Sequence, residues 1–324
     1  MKNPLIRALL HSVILPALLV VAVSFFISGY QLVLGFGFFI AVGLAISWNL
    51  VGGFAGQFAL GHSMYVGIGS YTVAFMLTRL GTPIPIAFLV GALLSAALAA
   101  GSTALFLRMR DAYFSVATMA LALACLSAVI ITPQLGATAG IILPGDLFID
   151  DVTLFWVSGA MAIVALAISV FIRHSGYGLE LMAMRDDETA AAESGVNALL
   201  MKCSIMAISA AIASCFGALI TLQKFTVDPN SAFSMLWTIQ MIMMSVIGGL
   251  GTVWGPVLGA AVVFGLQQGL DSFPVWNMLA TAVILLLIIR LAPGGITDLI
   301  MAATRVFAKS PDGPPGTLDP KPEK

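Results

Sequence analysis

Charged residues are scarce in this chain. Asp, Glu, Lys and Arg make up only 9% of its 324 residues, whereas a soluble globular domain carries about 25%. A soluble domain with so few charges could not cover its surface with polar groups. The apolar content of 60% and the mean hydropathy of +1.06 indicate instead a chain whose solvent is lipid.

Cysteine is also scarce, and neither sign of charge dominates. Cys125, Cys203 and Cys215 lie in apolar runs without C-x-x-C spacing. We therefore expect buried small hydrophobic residues, and neither a disulfide framework nor a metal site. The net charge of −1 gives no support for a nucleic-acid partner.

Long apolar runs recur along the chain. A helix that crosses the hydrocarbon needs about 20 largely apolar residues, so the sequence predicts an all-α, polytopic transmembrane helical bundle. The transmembrane domain covers residues 1–307, and the Pro- and Gly-rich tail 308–324 is expected to be disordered and cytoplasmic. About ten spans are predicted, near 10–28, 32–51, 60–78, 84–106, 112–132, 153–172, 199–222, 232–249, 256–272 and 275–292.

Basic residues indicate the orientation. With ten spans and a cytoplasmic N-terminus, all 14 Lys and Arg residues except Arg79 and Lys224 fall on the cytoplasmic side, as the positive-inside bias predicts. One missed or invented span would destroy this asymmetry. We therefore place both termini in the cytoplasm. The five tryptophans lie near predicted span ends, where the membrane interface favours them.

Asp, Glu, Lys and Arg are absent from the middle of every predicted span. Ion-coupled transporters usually place such groups there, so a secondary transporter, which stays an alternative, lacks a visible coupling site. A membrane enzyme acting on lipid is a second alternative. The one acidic cluster, Asp186, Asp187 and Glu188 with His174, is a poor metal or acid–base site because adjacent helical carboxylates diverge by about 100°.

The stretch from Gly52 to Tyr71 is rich in glycine. In a membrane, small residues let helices approach closely, and a broken helix is tolerated where it faces protein or a cavity. Gln57, His62 and Ser63 are the polar residues embedded in this stretch. We predict that they line or gate a substrate pathway. Tight helix packing with a few interhelical hydrogen bonds is the alternative.

The predicted cytoplasmic loop 173–202 contains a second informative stretch. Its core, Met184-Arg-Asp-Asp-Glu-Thr-Ala-Ala-Ala-Glu-Ser-Gly195, predicts a short surface helix. Asp186 or Asp187 can cap the start of this helix, the three alanines favour its continuation, and Gly195 can end it in a left-handed turn.

Such a helix has a small-residue face that suits docking into a groove on another protein. Ala191 and Ala192 would form that face, and Arg185, Glu188 and Glu193 would make charged contacts at its rim. A solvated loop with no partner is the alternative.

A third stretch, Gly248-Gly-Leu-Gly-Thr-Val-Trp-Gly-Pro-Val-Leu-Gly-Ala260, predicts a tight turn between two spans. Together the three stretches resemble the branched-chain amino acid ABC transporter permease family, specifically its LivM-type subunit. Gly56–Tyr71 is similar to the N-terminal signature of that family. The second stretch is similar to its ATPase-docking segment, with matches at Arg185, Glu188, Ala191, Ala192, Glu193, Gly195 and Asn197.

The resemblance implies an importer subunit in a bacterial inner membrane, for branched-chain or related amino acids. It implies two different permeases, two cytoplasmic ATPases and a periplasmic substrate-binding protein. The sequence has no Walker motif, so ATP would be used by the partner ATPase, and this chain would bind no cofactor and would not be an enzyme. The expected ATPase-coupling residues are Arg185, Asp187, Glu188, Ala191, Ala192, Glu193 and Gly195.

Overall fold

A computed structural model describes residues 20, 29–106, 109, 112–269, 279, 283, 290 and 294–298. The predicted spans near 10–28 and 275–292 lie almost wholly outside these residues. The predicted tail 308–324 and its boundary with the transmembrane domain lie outside them entirely.

The described chain is a bundle of helices. In chain order these are α1 (Tyr30–Asn49), α2 (Ser63–Leu80), α3 (Ile84–Phe106), α4 (Ala112–Ile130), α5 (Asp151–His174), α6 (Gly176–Asp186), α7 (Glu188–Glu193), α8 (Ala198–Lys224), α9 (Pro229–Ala232), α10 (Met235–Gly248) and α11 (Gly255–Gly269). A π-helical turn, Leu50–Phe54, continues α1. Short 3-10 turns occupy Pro133–Leu135, Ala137–Ala139 and Gly145–Leu147.

Within the described residues, six segments are long and apolar enough to cross a membrane. They are Tyr30–Phe54, Ile84–Phe106, Ala112–Ile130, Asp151–His174, Ala198–Lys224 and Pro229–Gly248. Helix α2, with its many Gly, Ser and Thr residues, and the 15-residue α11 are not among them. Eight described helices coincide with the second to ninth predicted spans, but the described residues do not establish a count of ten.

Helix α8 lies at the centre of the packing. Where it crosses α2, Gly69 faces the backbone of Ser214 and Gly217 faces the backbone of Val66 so closely that a Cβ at either glycine would collide. Ser70 adds a hydrogen bond across the same contact, from its Oγ to the Gly217 carbonyl oxygen at 2.8 Å. Small residues therefore set the separation of these two helices, as is common between helices in lipid.

Two short strands mark one end of the bundle. β1 (Ile141–Ile142) pairs antiparallel with β2 (Thr226–Val227), with Ile141 opposite Val227 and Ile142 opposite Thr226. The strands join the α4–α5 connection to the α8–α9 connection. We call this the sheet end, and we call the opposite end, which carries α6 and α7, the loop-helix end.

Three sequence expectations need correction. The predicted loop 173–202 contains α6, which was not predicted and which buries Leu181 and Met184. The three cysteines are free but only partly buried, because they do not all face the centre of the bundle. Trp48 lies fully inside the protein rather than at an interface.

Candidate functional site

Residues 55–62, which we call the helix break, separate the π-helical turn from α2. This irregular backbone obtains hydrogen bonds from neighbouring helices. The Trp48 indole Nε1 donates to the Ala59 carbonyl oxygen at 2.9 Å, and the Leu60 amide donates to Thr118 Oγ1 on α4 at 3.1 Å. Non-helical backbone survives at membrane depth only where protein or a cavity satisfies its polar groups. The break is therefore a built feature of the fold.

His62, the last residue of the break, lies in a buried polar cluster with 0% exposure. Its Nε2 lies 2.9 Å from Ser209 Oγ on α8, and that hydroxyl donates to the Ser47 carbonyl oxygen at 2.6 Å. Because a serine hydroxyl has one proton, Ser209 must accept from Nε2–H. Beside it, the Ser63 amide donates to Thr238 Oγ1 on α10 at 2.8 Å. Helices α1, α4, α8 and α10 thus all supply hydrogen-bond partners to the break or to the first residue of α2.

Each of the three predicted gate residues carries a buried polar atom without a hydrogen-bond partner among the described residues. These atoms are Gln57 Oε1, His62 Nδ1 and Ser63 Oγ. A buried polar group without a partner costs about 1–3 kcal/mol, so three such atoms within seven positions single out this stretch within the described part of the chain. None of the three residues lines the cavity described next.

A cavity of about 370 Å³ lies between α1, α8, α10 and α11. Its walls are mainly apolar, and its polar side chains lie toward the sheet end, where α8 ends. The lining residues are Tyr30, Val33, Leu34, Phe36, Gly37, Ile40, Ala41, Leu44, Ile220, Gln223, Lys224, Trp237, Gln240, Met241, Met244, Phe264, Gln267 and Gln268. This size and this mixture of surfaces are typical of a small-molecule site.

The deep end of the cavity adjoins the polar cluster along the chain. Leu44 and Met244 line the cavity. The next residue on each helix joins α1 to α10, because Ser245 Oγ donates to the Ala45 carbonyl oxygen at 3.0 Å. Ser47, which accepts from Ser209, follows two residues later on α1. The cavity and the cluster around His62 are therefore separated by about one helical turn of α1.

The short helix predicted after Met184 is confirmed as α7. Asp187 is its N-cap and accepts from the amides of Thr189 and Ala190 at 2.9 and 3.1 Å. Hydrogen bonds from the Thr189 hydroxyl and from these two amides lower the pKa of Asp187. Gly195 has a φ of +91° just beyond the helix, which is the left-handed stop that the sequence predicted.

The two alanines predicted to form one docking face point in different directions. Ala192 is exposed, as are Arg185, Asp187, Glu188, Glu193 and Gly195. Ala191 is only 5% exposed and belongs to a buried cluster that contains Leu181 and Met184 of α6 as well as Leu50, Phe54 and Ala55 next to the helix break. Ala191 therefore attaches α7 to its own chain, and of the two alanines only Ala192 is placed to touch a partner. The docking role of α7 stays a prediction.

The charged residues around α7 are also partly engaged within the chain. Lys202 Nζ lies 2.7 Å from Glu188 Oε2 and ties the start of α7 to the start of α8. Arg185 Nη1 donates to the Gly53 carbonyl oxygen at 2.8 Å. Glu193 stays on the exposed surface.

The third glycine-rich stretch, Gly248–Ala260, is hydrogen-bonded to the end of α1. The Gly251 amide donates to Asn49 Oδ1 at 3.0 Å, and Asn49 Nδ2 donates to the Thr252 carbonyl oxygen at 2.9 Å. Arg185 Nη1 lies beside Gly251. All three stretches that stood out in the sequence therefore converge on the end of α1.

Several residues of this site were not predicted from the sequence. They are Asn49, Thr118, Ser209 and Thr238, each a buried or largely buried partner of the helix break or of the glycine-rich turn. Asn49 did carry a signal, because an amide side chain within an apolar run is costly unless it is hydrogen-bonded.

The apolar helices and the broken helix stabilised by protein contacts are features of a polytopic α-helical membrane protein. The family described as "Branched-chain amino acid transport system / permease component" matches residues 30–291. The chain belongs to this family, and the family predicted from the three stretches is confirmed.

The chain is also similar in sequence to individual permease proteins. The chain is 26% identical over 323 residues to the high-affinity branched-chain amino acid transport system permease protein LivM of Salmonella typhimurium, covering 88% of this chain and 74% of that protein. It is 26% identical to LivM of Escherichia coli over 79% of this chain and 67% of that protein. A probable LivM of Methanocaldococcus jannaschii is 27% identical over 37% of this chain and 39% of that protein. No solved structure gives a significant match.

Proposed function

We propose that this chain is the membrane-spanning permease subunit of an ATP-driven importer for branched-chain or related amino acids. It couples closure of separate ATPase subunits to alternating access of a solute pathway. The observation that supports this most directly is the position of α7. Its outer face is exposed, and on its inner face Ala191 belongs to a buried cluster that also contains Leu181 and Met184 of α6 and Leu50, Phe54 and Ala55 beside the helix break. A displacement of α7 is therefore transmitted to the break through this cluster and through α6, on which α7 packs.

The proposed assembly contains a second permease, two cytoplasmic ATPases and a periplasmic substrate-binding protein. The printed names of the relatives describe permease proteins of a branched-chain amino acid transport system, which supports this class of solute. In this assembly, ATP is bound and hydrolysed by the ATPases, and the present chain needs no cofactor of its own.

The proposed topology has ten spans with both termini in the cytoplasm of a bacterial inner membrane. The loop-helix end is cytoplasmic and the sheet end is external. The positive-inside asymmetry of the Lys and Arg residues supports this orientation. Single cysteines at Asp150 and Lys224, both exposed, should react with an impermeant maleimide added outside. Reaction from the cytoplasmic side alone would contradict the topology.

The cavity between α1, α8, α10 and α11 is the proposed external part of the pathway. Its apolar walls suit a branched side chain, and Lys224 and Gln240 near its mouth suit the charged groups of an amino acid. Gln57, His62 and Ser63 form the proposed gate beyond its deep end. Their unpartnered atoms support a second packing in which these groups find partners, so that access switches as a population shift between two states.

A matched pair of variants on α10 tests the pathway. Gln240 lines the cavity, whereas its neighbour Ile239 is 43% exposed on the outside of the helix. Gln240→Trp should fill the cavity and abolish uptake, and Ile239→Trp should leave uptake near the wild-type rate. Equal uptake by both variants would exclude this cavity from the pathway.

The decisive experiment for the function is uptake into proteoliposomes that hold the complete complex and the binding protein. Uptake should require ATP on the cytoplasmic side and should survive ionophores that collapse ion gradients. Uptake without ATP that follows an ion gradient would instead establish the secondary transporter, and no uptake under either condition would contradict both.

A further inference from the structure

The side chain of Arg185 occupies a narrow slot between two glycines. Arg185 precedes the α7 N-cap by two residues, and its Nη1 donates to the Gly53 carbonyl oxygen at 2.8 Å. Gly56, with a φ of +68°, lies against its stem, where a Cβ would collide with Arg185 Cγ. Gly251, with a φ of +71°, lies against its head, where a Cβ would be 2.8 Å from Nη1. Two backbone positions that favour glycine therefore hold one arginine.

The chemistry of this slot suits a cation. The last turn of a helix leaves carbonyl oxygens without intrahelical partners, and a cation near them is favoured by the helix dipole. Gly53 lies in the last turn of the π-helical extension of α1. The guanidinium supplies a charge-assisted donor to that turn, with a rigid fork that a lysine lacks.

The arginine also has other neighbours. Asp186 approaches its Nε at 3.5 Å, but Asp186 is exposed and such a pair contributes little. The more important neighbour is the α10–α11 turn, because Gly251 is fixed to Asn49 by a hydrogen bond. Arg185 thus touches the helix break and the α10–α11 turn together.

We propose that Arg185, in the last turn of α6, is a positioning residue that latches the junction of α6 and α7 to the helix break, and that it does not act as a rim contact for the ATPase. This inference rests on the proposed function. When a partner displaces α7, Arg185 is drawn from its slot, the Gly53 carbonyl loses its donor, and the segment from Gly53 to His62 is freed to repack. The latch converts movement outside the membrane into a change at the gate.

The test replaces Arg185 with Met, which keeps the apolar stem and removes the donors. Arg173→Met is the matched control, because Arg173 is also exposed and lies in the last turn of α5. Arg185→Lys keeps the charge without the fork and should be intermediate. The reconstituted complex is assayed for capture of the ATPase, for basal hydrolysis and for hydrolysis stimulated by the loaded binding protein.

We expect Arg185→Met to retain capture and basal hydrolysis and to lose about tenfold in stimulated hydrolysis, the effect of removing one charge-assisted hydrogen bond that is partly exposed. Spin labels at Phe58 and Ala192, both exposed, give an independent structural readout when they are measured on the chain without its ATPase. Their distance distribution should broaden in Arg185→Met and stay narrow in Arg173→Met.

Two other results would overturn the latch. Stimulated hydrolysis and label distances that match wild type would show that the arginine transmits nothing, and loss of ATPase capture would make it a docking contact. Both are distinct from failure of the proposed function, in which the wild-type complex itself shows no ATP-dependent uptake.

Discussion

Ala191 and Ala192 are adjacent residues on a six-residue helix, yet they should respond in opposite ways to the same substitution. Ala191 is 5% exposed and belongs to the buried cluster between α6 and the helix break, whereas Ala192 is exposed. Inserting a large side chain into a packed cluster costs about 1–3 kcal/mol. The seated form of α7 should lose that amount in Ala191→Trp and almost nothing in Ala192→Trp.

The packing free energy lost in Ala191→Trp can be measured as a more frequent detachment of α7. Because about 1.4 kcal/mol is a tenfold change in an equilibrium, the population of detached α7 should rise by roughly 5- to 150-fold in Ala191→Trp. The amides of Ser194 and Val196 donate to the carbonyl oxygens of Ala190 and Ala191 and should exchange faster by the same factor. Hydrogen exchange followed by mass spectrometry, on the chain without its ATPase, measures this directly.

The same pair separates attachment from docking. Ala192→Trp should weaken capture of the ATPase. In the chain without the ATPase, the same variant should leave hydrogen exchange of the α7 amides unchanged. Equal exchange in both variants, or faster exchange only in Ala192→Trp, would refute the assignment of the two faces and with it the proposed path of force into the helix break.

Three further predictions concern the cap of α7, the α2–α8 contact and the hydrogen bond of His62. A spin label on α7 should gain mobility only at acid pH, because hydrogen bonds led by the Thr189 hydroxyl lower the pKa of Asp187. The stabilisation by the Asp187 cap is therefore complete above the ordinary Asp pKa and is lost as pH falls through the lowered pKa. A mobility that rises above neutral pH would contradict this. Gly217→Val should destabilise the α2–α8 contact by about 1–3 kcal/mol or more, seen as a lower unfolding temperature in detergent. A double-mutant cycle of His62→Leu and Ser209→Ala should give a coupling free energy of about 0.6–1.7 kcal/mol in the stability of the protein. Additive effects of the two substitutions would show that the hydrogen bond between these side chains contributes nothing.

Local chemistry explains what could be predicted from the sequence. The Asp187 cap and the Gly195 stop depend on residues within a few positions of each other, so both could be identified. The contact of His62 with Ser209 joins residues 147 apart, and no local pattern selects one serine among the many in apolar helices. The glycines from Gly52 onward indicated a break, although the span predicted from residue 60 begins at Ser63.

The orientation of α7 shows a second limit of sequence patterns. A helix face is predicted from contrast between apolar and polar residues at a period of 3.6. The segment Glu188–Glu193 has three consecutive alanines, which present the same small side chain in three directions. The periodicity therefore could not show which alanine faces inward, and only the tertiary position of the buried cluster that contains Ala191 decides it.

The paired strands at the sheet end restrict how the bundle can open. β1 and β2 fasten the α4–α5 connection to the α8–α9 connection, and the Leu143 amide donates to the Phe225 carbonyl oxygen at 2.9 Å beside them. Helices that are fastened together at the sheet end can separate most at the opposite end, so the paired strands would act as the pivot of that movement. A disulfide between cysteines at Ile142 and Thr226 should therefore be tolerated during turnover, and loss of uptake on its formation would show that the pivot lies elsewhere.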